Sequence, residues 1–374
     1  MNTIYRRRVN LLKILYYFRN LGTAMYMWQV YHIVDELAHY DCIVDIFNPD
    51  DFETIDDAND QLLNKLKNEH YDLFMTCHNE KLLYVSTITE IKKIGVPTLL
   101  FCPDNLLAPF NHEHIARFFD LVWLTSQETK YLFDKWGCRS VFLPYASNPF
   151  MYKPDYSMSE IQSLGFIGTP HGTRMDHINE LVDAGVSVTV HTALKNSHQK
   201  VVSAPMNSYI KTLGAYIRYP IGRKLLIASI IDKSKKREFH LDNNNLIIRE
   251  PVPFEEMAKY SCAYAAMLSF TDARSTGVLK NPVPIINLRH FELPMSGALQ
   301  FTSYSDELAG YFEDEKEIIL CKSKEEYVER AKYWLKPENA EKRKLMKLAA
   351  RKRAVAEHTW HNRFEKIFEL LGIK

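Results

Sequence analysis

The chain has no apolar run approaching the roughly 18 uninterrupted residues of a membrane-spanning helix. It has no excess of one charge either. Forty-seven Lys and Arg stand against forty-six Asp and Glu, for a formal charge of +1. That balance argues against a chain-wide nucleic-acid binder, although it leaves room for a local basic patch. Paired cysteines are missing as well: Cys42, Cys77, Cys102, Cys138, Cys262 and Cys321 form no CxxC pair and no cluster. Most sit in apolar, strand-like runs, where a thiol behaves as a small hydrophobe. This points away from a disulfide scaffold or zinc site and toward a reducing, cytoplasmic setting. Arg6, Arg7 and Arg8 precede an apolar stretch, but Lys13 interrupts it and no small-x-small cleavage site follows. Residues 10–18 therefore read as a first strand rather than a signal peptide. What is present is an ordinary globular composition, 46% hydrophobic and 25% charged over 374 residues, long enough for two domains.

Short β-rich runs alternate with helical patterns through the first half. Strands are expected at 11–18, 42–47, 71–76, 98–102, 121–125 and 140–143. Helices are expected at 25–39, up to about 69, 81–94 and 127–136. Such alternation implies parallel βαβ units and a doubly wound sheet. Pro144, Asn148-Pro149 and Lys153-Pro154-Asp155 break the pattern and mark a boundary. It restarts with strands at 163–167, 186–191, 246–248, 263–270 and 299–302, and helices at 175–184, 254–260 and 291–296. Helical segments then close the chain from 324 to 371. The expected division is an N-terminal domain over 1–150, a second over 151–345 with an insertion at 192–245, and terminal helices over 346–374.

The insertion differs in composition. From 195 to 237 there are ten basic residues and one acid, Asp232, interleaved with Tyr209, Leu213, Tyr216, Ile217, Ile230 and other large apolar side chains. That is the make-up of a basic amphipathic segment at an anionic membrane surface or a phosphate-bearing acceptor, or of a solvated insertion packed on its domain.

Three stretches carry candidate chemistry. In Leu164–Arg174 a strand ends at glycine and a helix begins near Thr173. Gly168 and Gly172 allow close approach, helix-terminal amides favour an anion, and Arg174 could add a charged fork. With Thr169 this is a diphosphate cradle or a structural tight turn. In Asn287–Ala298 the carboxylate of Glu292, just inside a short helix, could accept both hydroxyl protons of a ribose diol or serve the helix dipole. Arg289 and Phe291 sit beside it, and Gly297 suits a left-handed cap. In Ala356–Phe364, His358 and His361 share a helix face, but no further ligands complete a metal site, so they read as structural and no metal is expected.

These stretches resemble glycosyltransferases related to the spore-maturation protein CgeB, within the wider clan of family 4-like enzymes. Residues 166–174 are similar to that family's FvGs…R opening of the C-terminal domain. LRHFELPMSGALQFT at 288–302 is similar to its FEipacGaflLT segment, and EHTWHNR at 357–363 to its eHTY..R tail, with Trp360 for the usual Tyr. Residues 119–152 are similar to the end of its N-terminal domain. The resemblance implies a GT-B fold, two facing Rossmann-like domains, with terminal helices crossing back to the first. It implies a nucleotide-sugar donor, a UDP-sugar in the first place, held without a metal or other cofactor, and a cell-surface glycan, lipid-linked or protein acceptor held by the N-terminal domain. Glu292 would match the clan's second glutamate, on the ribose; Arg174 and the Gly168 turn would match a diphosphate loop. The clan's other glutamate, eight positions earlier, is replaced by Pro284, which leaves the sugar contact and the stereochemical outcome open.

Leaving-group charge would fall first to Arg174, then to Arg289, Arg274 and Lys280, the last two following a strand end where α/β sheets bind ligands. An inverting reaction needs a base. His78 and Asp104, each after an N-domain strand, are the candidates, with Glu80 nearby. A sugar-nucleotide epimerase on the same frame and a non-catalytic nucleotide-sugar or carbohydrate-binding protein are the rival readings. The insertion would set the protein at the inner face of the cell membrane.

Overall fold

The computed structural model describes residues 11–193 and 213–374; residues 6–8, Asn10 and 195–212 lie outside the described residues. The chain divides into two compact units, one of Met1–Pro144 with Trp360–Lys374, the other of Tyr145–Thr359.

The first unit is built on six strands: β1 Leu12–Tyr17, β2 Cys42–Phe47, β3 Leu73–Thr76, β4 Thr98–Cys102, β5 Leu121–Leu124 and β6 Ser140–Phe142. They lie side by side in the order β2-β1-β3-β4-β5-β6, each neighbouring pair parallel. β3, β4 and β5 are buried along their whole length, as expected of parallel strands covered on both faces. The helical pattern at 25–39 is broken rather than continuous: Ala24–Gln29 is α-helical, Val30–Val34 a π turn and Asp35–Leu37 α-helical again. Gln29, His32, Ile33 and Glu36 all lie buried along it. The chain's last helix, Trp360–Leu371, belongs to this unit. Trp360 is fully buried among Trp28, His32, Phe101 and Trp123, with ring centroids 5.7 to 6.1 Å apart. Glu36 Oε1 accepts the His361 backbone N–H at 2.7 Å, so a buried carboxyl group from one helix satisfies an orphan amide of another.

The second unit repeats the plan. β7 Ile161–Ile167, β8 Val188–His191, β9 Leu246–Arg249, β10 Tyr264–Leu268, β11 Gln300–Ser303 and β12 Ile318–Cys321 lie in the order β12-β11-β10-β7-β8-β9, again all parallel. The sequence pattern missed β12 and the Asp306–Tyr311 helix before it. A four-residue apolar run after a charged stretch is too short to announce itself by periodicity. The long Ala340–Glu357 helix is bound to the sheet through buried charge. Arg343 is fully buried and pairs with Glu160, while Lys347 Nζ donates to the carbonyls of Tyr264 at 2.7 Å and Cys262 at 3.2 Å.

Both units are therefore doubly wound, with a terminal helix pair, and their topology is two Rossmann-like sheets. In each, strand order reverses next to the first strand, between β1 and β3 and between β7 and β10. Ligands of such sheets bind outside the carboxyl ends of the strands at that reversal.

Candidate functional site

At the reversal in the second unit, β7 runs out into the turn of Gly168 and Gly172, both with positive φ, and the Thr173–Asp183 helix starts from it. Gly168 N donates to the carbonyl of His191, at the end of β8 (3.1 Å). Thr169 is exposed, and its carbonyl takes a long contact of 3.5 Å from Arg174 Nη1. Arg174 otherwise lies over the Phe270 ring, 5.9 Å from its centroid. Burial lowers its pKa, the nearby Arg289 lowers it further, and Asp272 opposes both. The glycine turn and the Arg289–Met295 helix thus bring two guanidiniums into one electrostatic neighbourhood.

Arg289 opens that helix, and its Nη1 lies 3.0 Å from Glu292 Oε2. Nη1 is buried, with Glu292 as its ion-pair partner and no hydrogen bond. The adjacent His290 is fully buried, and its Nδ1 accepts the Asn287 N–H at 3.2 Å. The same Nδ1 lies 3.4 Å from the Asn287 carbonyl, and Nε2 is buried with no hydrogen-bond partner. Burial, reinforced by Arg174 and Arg289, pushes the His290 pKa down to about 3. Arg174, Arg289 and a buried ring nitrogen without a hydrogen-bond partner thus lie in one neighbourhood, where an orphaned buried polar atom costs about 1–3 kcal/mol.

Glu292 is almost fully buried; its Oε1 accepts the Tyr152 hydroxyl at 2.6 Å. Arg351 closes the other end of the helix by donating to the Met295 carbonyl and, at 2.8 Å, to that of Tyr152. Gly297 ends it at φ +73, where an added Cβ would meet the Tyr156 hydroxyl at 2.7 Å. Phe291 is enclosed by Tyr311, Phe312 and His358 and reaches no surface; it anchors the helix that carries its neighbours.

Arg274 and Lys280, beyond β10, are exposed. Arg274 has a left-handed backbone and donates to the Tyr216 hydroxyl at 3.1 Å. Asp272, which sequence reasoning passed over, pairs through its backbone with Pro284 and lies 4.0 Å from His177 Nε2. Burial raises its pKa, while His177 and Arg174 pull it back. His290 was also passed over, since nothing in a lone histidine announces a buried ring nitrogen without a hydrogen-bond partner. So was a cavity of about 710 Å³ at the ends of β8 and β9, lined by His191, Thr192, Arg249, Pro251, Val252 and Tyr260. His191 Nδ1 meets the Glu250 carbonyl at 3.0 Å and its Nε2 meets the Tyr264 hydroxyl at 2.6 Å. The cavity abuts the Gly168 turn through the Gly168–His191 hydrogen bond.

In the first unit, His78 lies at the corresponding reversal. Its Nε2 accepts the Arg19 N–H at 2.8 Å, its ring stacks on Phe18, and burial pushes its pKa down to about 4. Its accepting lone pair is therefore engaged. Glu80 Oε2 and His112 Nδ1 are buried without hydrogen-bond partners. Asp104 is exposed, with φ +54, and its carbonyl accepts from Leu107 N at 2.9 Å.

Among the described residues no three His, Cys, Asp or Glu side chains are grouped to hold a metal, and no helix is long and apolar enough to cross a membrane. All six cysteines are free.

The two Rossmann-like sheets have the topology of the GT-B fold. HepE of Anabaena bound to UDP superposes with a TM-score of 0.59 at 13% identity, over 96% of this chain and 100% of that one. Sucrose-phosphate synthase of Thermosynechococcus elongatus superposes at 0.53 and 12% identity, over 96% and 99%. A glycosyltransferase of Rickettsia africae superposes at 0.55 and 11%, over 97% and 98%. At such identities the likeness is one of fold. A family model described as glycosyl transferase-like matches residues 223–369, the stretch that holds Asp272 and the Arg289–Met295 helix. A search of curated proteins finds no match. None of these comparisons singles out the spore-maturation subgroup.

Proposed function

We propose that this protein is a glycosyltransferase that moves a sugar from a nucleoside-diphosphate donor, of the UDP-sugar class, to a glycan, lipid-linked or protein acceptor without a metal. The observation that carries the reading is the meeting of two guanidiniums, Arg174 and Arg289, next to the buried His290 ring, whose Nε2 has no hydrogen-bond partner. A diphosphate adds counter-charge to that of Glu292 and Asp272. It also offsets the repulsion between the two guanidiniums, and it accumulates charge as it leaves, which fixed cations stabilise. HepE, which shares the fold, is described with UDP-glucose.

In this reading the nucleoside occupies the cavity at His191 and Tyr260, whose volume lies in the range of small-molecule sites, about 300–1,000 Å³. The diphosphate crosses the Gly168–Thr169 turn to Arg174, Arg289 and His290, with Arg274 and Lys280 at the outer edge. Glu292 orients Arg289 and offers the ribose diol the oxygen that Tyr152 now holds. Asp272, paired with the proline that stands where the related family carries a glutamate, faces the sugar. The acceptor belongs to the first unit. With His78 engaged by Arg19, a base for an inverting reaction falls to the exposed Asp104, His78 then shaping the site. Kinship with the CgeB-like subgroup is part of this reading.

The test is a thermal-shift screen of UDP-, GDP-, ADP-, CMP- and TDP-sugars followed by product analysis of the best donor with and without glycan acceptors. A ligand at 100 times its dissociation constant stabilises by about 2.7 kcal/mol. Transfer to an acceptor supports the proposal; turnover of donor alone indicates an epimerase, and binding without turnover a binding protein. No stabilisation by any sugar nucleotide removes the reading.

A further inference from the structure

A surface far from neutral stands out on a chain whose formal charge is only +1. The Pro220–Lys233 helix buries Gly222, Leu225 and Ala228 against the second unit. The packing is close: a Cβ at Gly222 would fall 2.1 Å from the Tyr216 carbonyl. Asp232 fastens the helix end, accepting from Ser275 Oγ at 2.7 Å and from Arg237 Nη1 at 2.5 Å. The helix is therefore a fixed platform, and its outer side is apolar where a solvated helix would be polar. Ile227 is 52% exposed, Ile231 37%, and Ile230, at 72%, is the most exposed large hydrophobic residue among those described. Leu213 at 47% and Ile217 at 51%, in the short helical stretch just before, extend the apolar surface.

Cations frame it. Arg223 and Lys224 lie exposed toward the start of the helix, and Lys233, Lys235 and Lys236 at and beyond its end. The single acid between residues 213 and 237, Asp232, is already committed to Arg237 and Ser275, so it neutralises none of these five. Arg237 in turn is held by Asp176 at 2.6 Å and takes no part in the surface.

From this we propose that residues 213–236 form a docking face for an anionic lipid surface, in which the isoleucines enter the headgroup boundary and the flanking cations meet lipid phosphates. Apolar side chains ringed by Lys and Arg on a helix lying flat are what such a boundary rewards. A nucleic-acid backbone would use the cations and gain nothing from five exposed aliphatic side chains. The proposal is independent of the donor site, since none of these residues belongs to it.

The experiment is co-sedimentation of the full-length protein with vesicles of phosphatidylcholine alone and of phosphatidylcholine mixed with phosphatidylglycerol. Circular dichroism and gel filtration run on every variant. The native protein is expected to bind the mixed vesicles and not the neutral ones. Each surface cation contributes about fivefold, so Lys233→Gln/Lys235→Gln/Lys236→Gln lowers partition about a hundredfold. Ile227→Ser/Ile230→Ser lowers it roughly tenfold or more. Both sets of positions are exposed, so the fold is preserved. Equal binding to both vesicle types, no binding to either, or unchanged partition in both variants overturns the proposal. So does a dimer in solution that Ile227→Ser/Ile230→Ser dissolves, which makes the face a contact between copies. Binding to duplex DNA that the lysine variant loses and the isoleucine variant keeps, without vesicle binding, also overturns it.

Discussion

Replacing Arg174 by methionine separates binding from folding at the proposed diphosphate site. In the free protein Arg174 makes little that methionine could not replace. It has one long contact, 3.5 Å to the Thr169 carbonyl, and its guanidinium carbon lies 5.9 Å from the Phe270 ring centroid. Against this it bears the cost of burial and the repulsion of Arg289, which together outweigh the attraction of Asp272 and lower its pKa. Methionine sets a polarisable thioether against Phe270 in place of the guanidinium and removes the charge, so the unliganded protein should melt no lower than the native one, and by the usual trade of stability for function somewhat higher. With a diphosphate bound the sign reverses. A hydrogen bond to a charged group contributes about 1.5–3 kcal/mol, so affinity for UDP should fall roughly 10- to 150-fold. Differential scanning calorimetry on free protein and titration calorimetry with UDP measure the two effects. A variant that melts several degrees lower while binding UDP with native affinity would show that Arg174 is a structural residue and would refute the reasoning.

Two further substitutions probe the surroundings. Glu292→Gln keeps the acceptor for Tyr152 but removes the charge facing Arg289. It should cost about 1–3 kcal/mol of stability and weaken UDP binding, measured by urea unfolding and calorimetry; native affinity would take Glu292 out of the site. Glu36 is fully buried, and burial pushes its carboxyl up to about 8 against the pull of the Trp360 and His361 amides. The folded state then holds a proton that the unfolded chain has released. Stability is fullest below the unfolded value near 4.5 and is lost as pH rises through about 8, by up to about 5 kcal/mol. Glu36→Gln should flatten that loss and melt higher than the native protein at alkaline pH. Parallel melting curves across the range would contradict it.

The fold was legible because its signal is local and repeated. Each covered parallel strand is a short apolar run, and Cys42–Phe47 and Thr98–Cys102 could be bounded to the residue. The π turn at Val30–Val34 was not legible, since it inserts one residue into a helical pattern without changing its composition. The glycine turn and the 288–302 segment stood out as motifs, but their meaning depends on distance. That Arg174 and Arg289 share a field, that His290 Nε2 is buried without a hydrogen-bond partner, and that Pro284 pairs with Asp272 are properties of packing between residues more than ten apart in the chain. Sequence also could not show that Phe291 is enclosed by aromatic rings or that His78 already accepts a backbone amide. In the insertion, composition named the charge and the apolar content. Only the structure separates Ile230, turned outward, from Leu225, turned in.

The central claim is that the second unit holds a diphosphate on Arg174, Arg289 and His290. Titration calorimetry of the native protein with UDP and, separately, with uridine tests it most directly. The account predicts saturable binding of UDP that is at least a hundredfold tighter than that of uridine, since several charge-assisted hydrogen bonds, each of about 1.5–3 kcal/mol, depend on the phosphates. Equal affinity for the two, or no heat with UDP or any other nucleoside diphosphate, would contradict it.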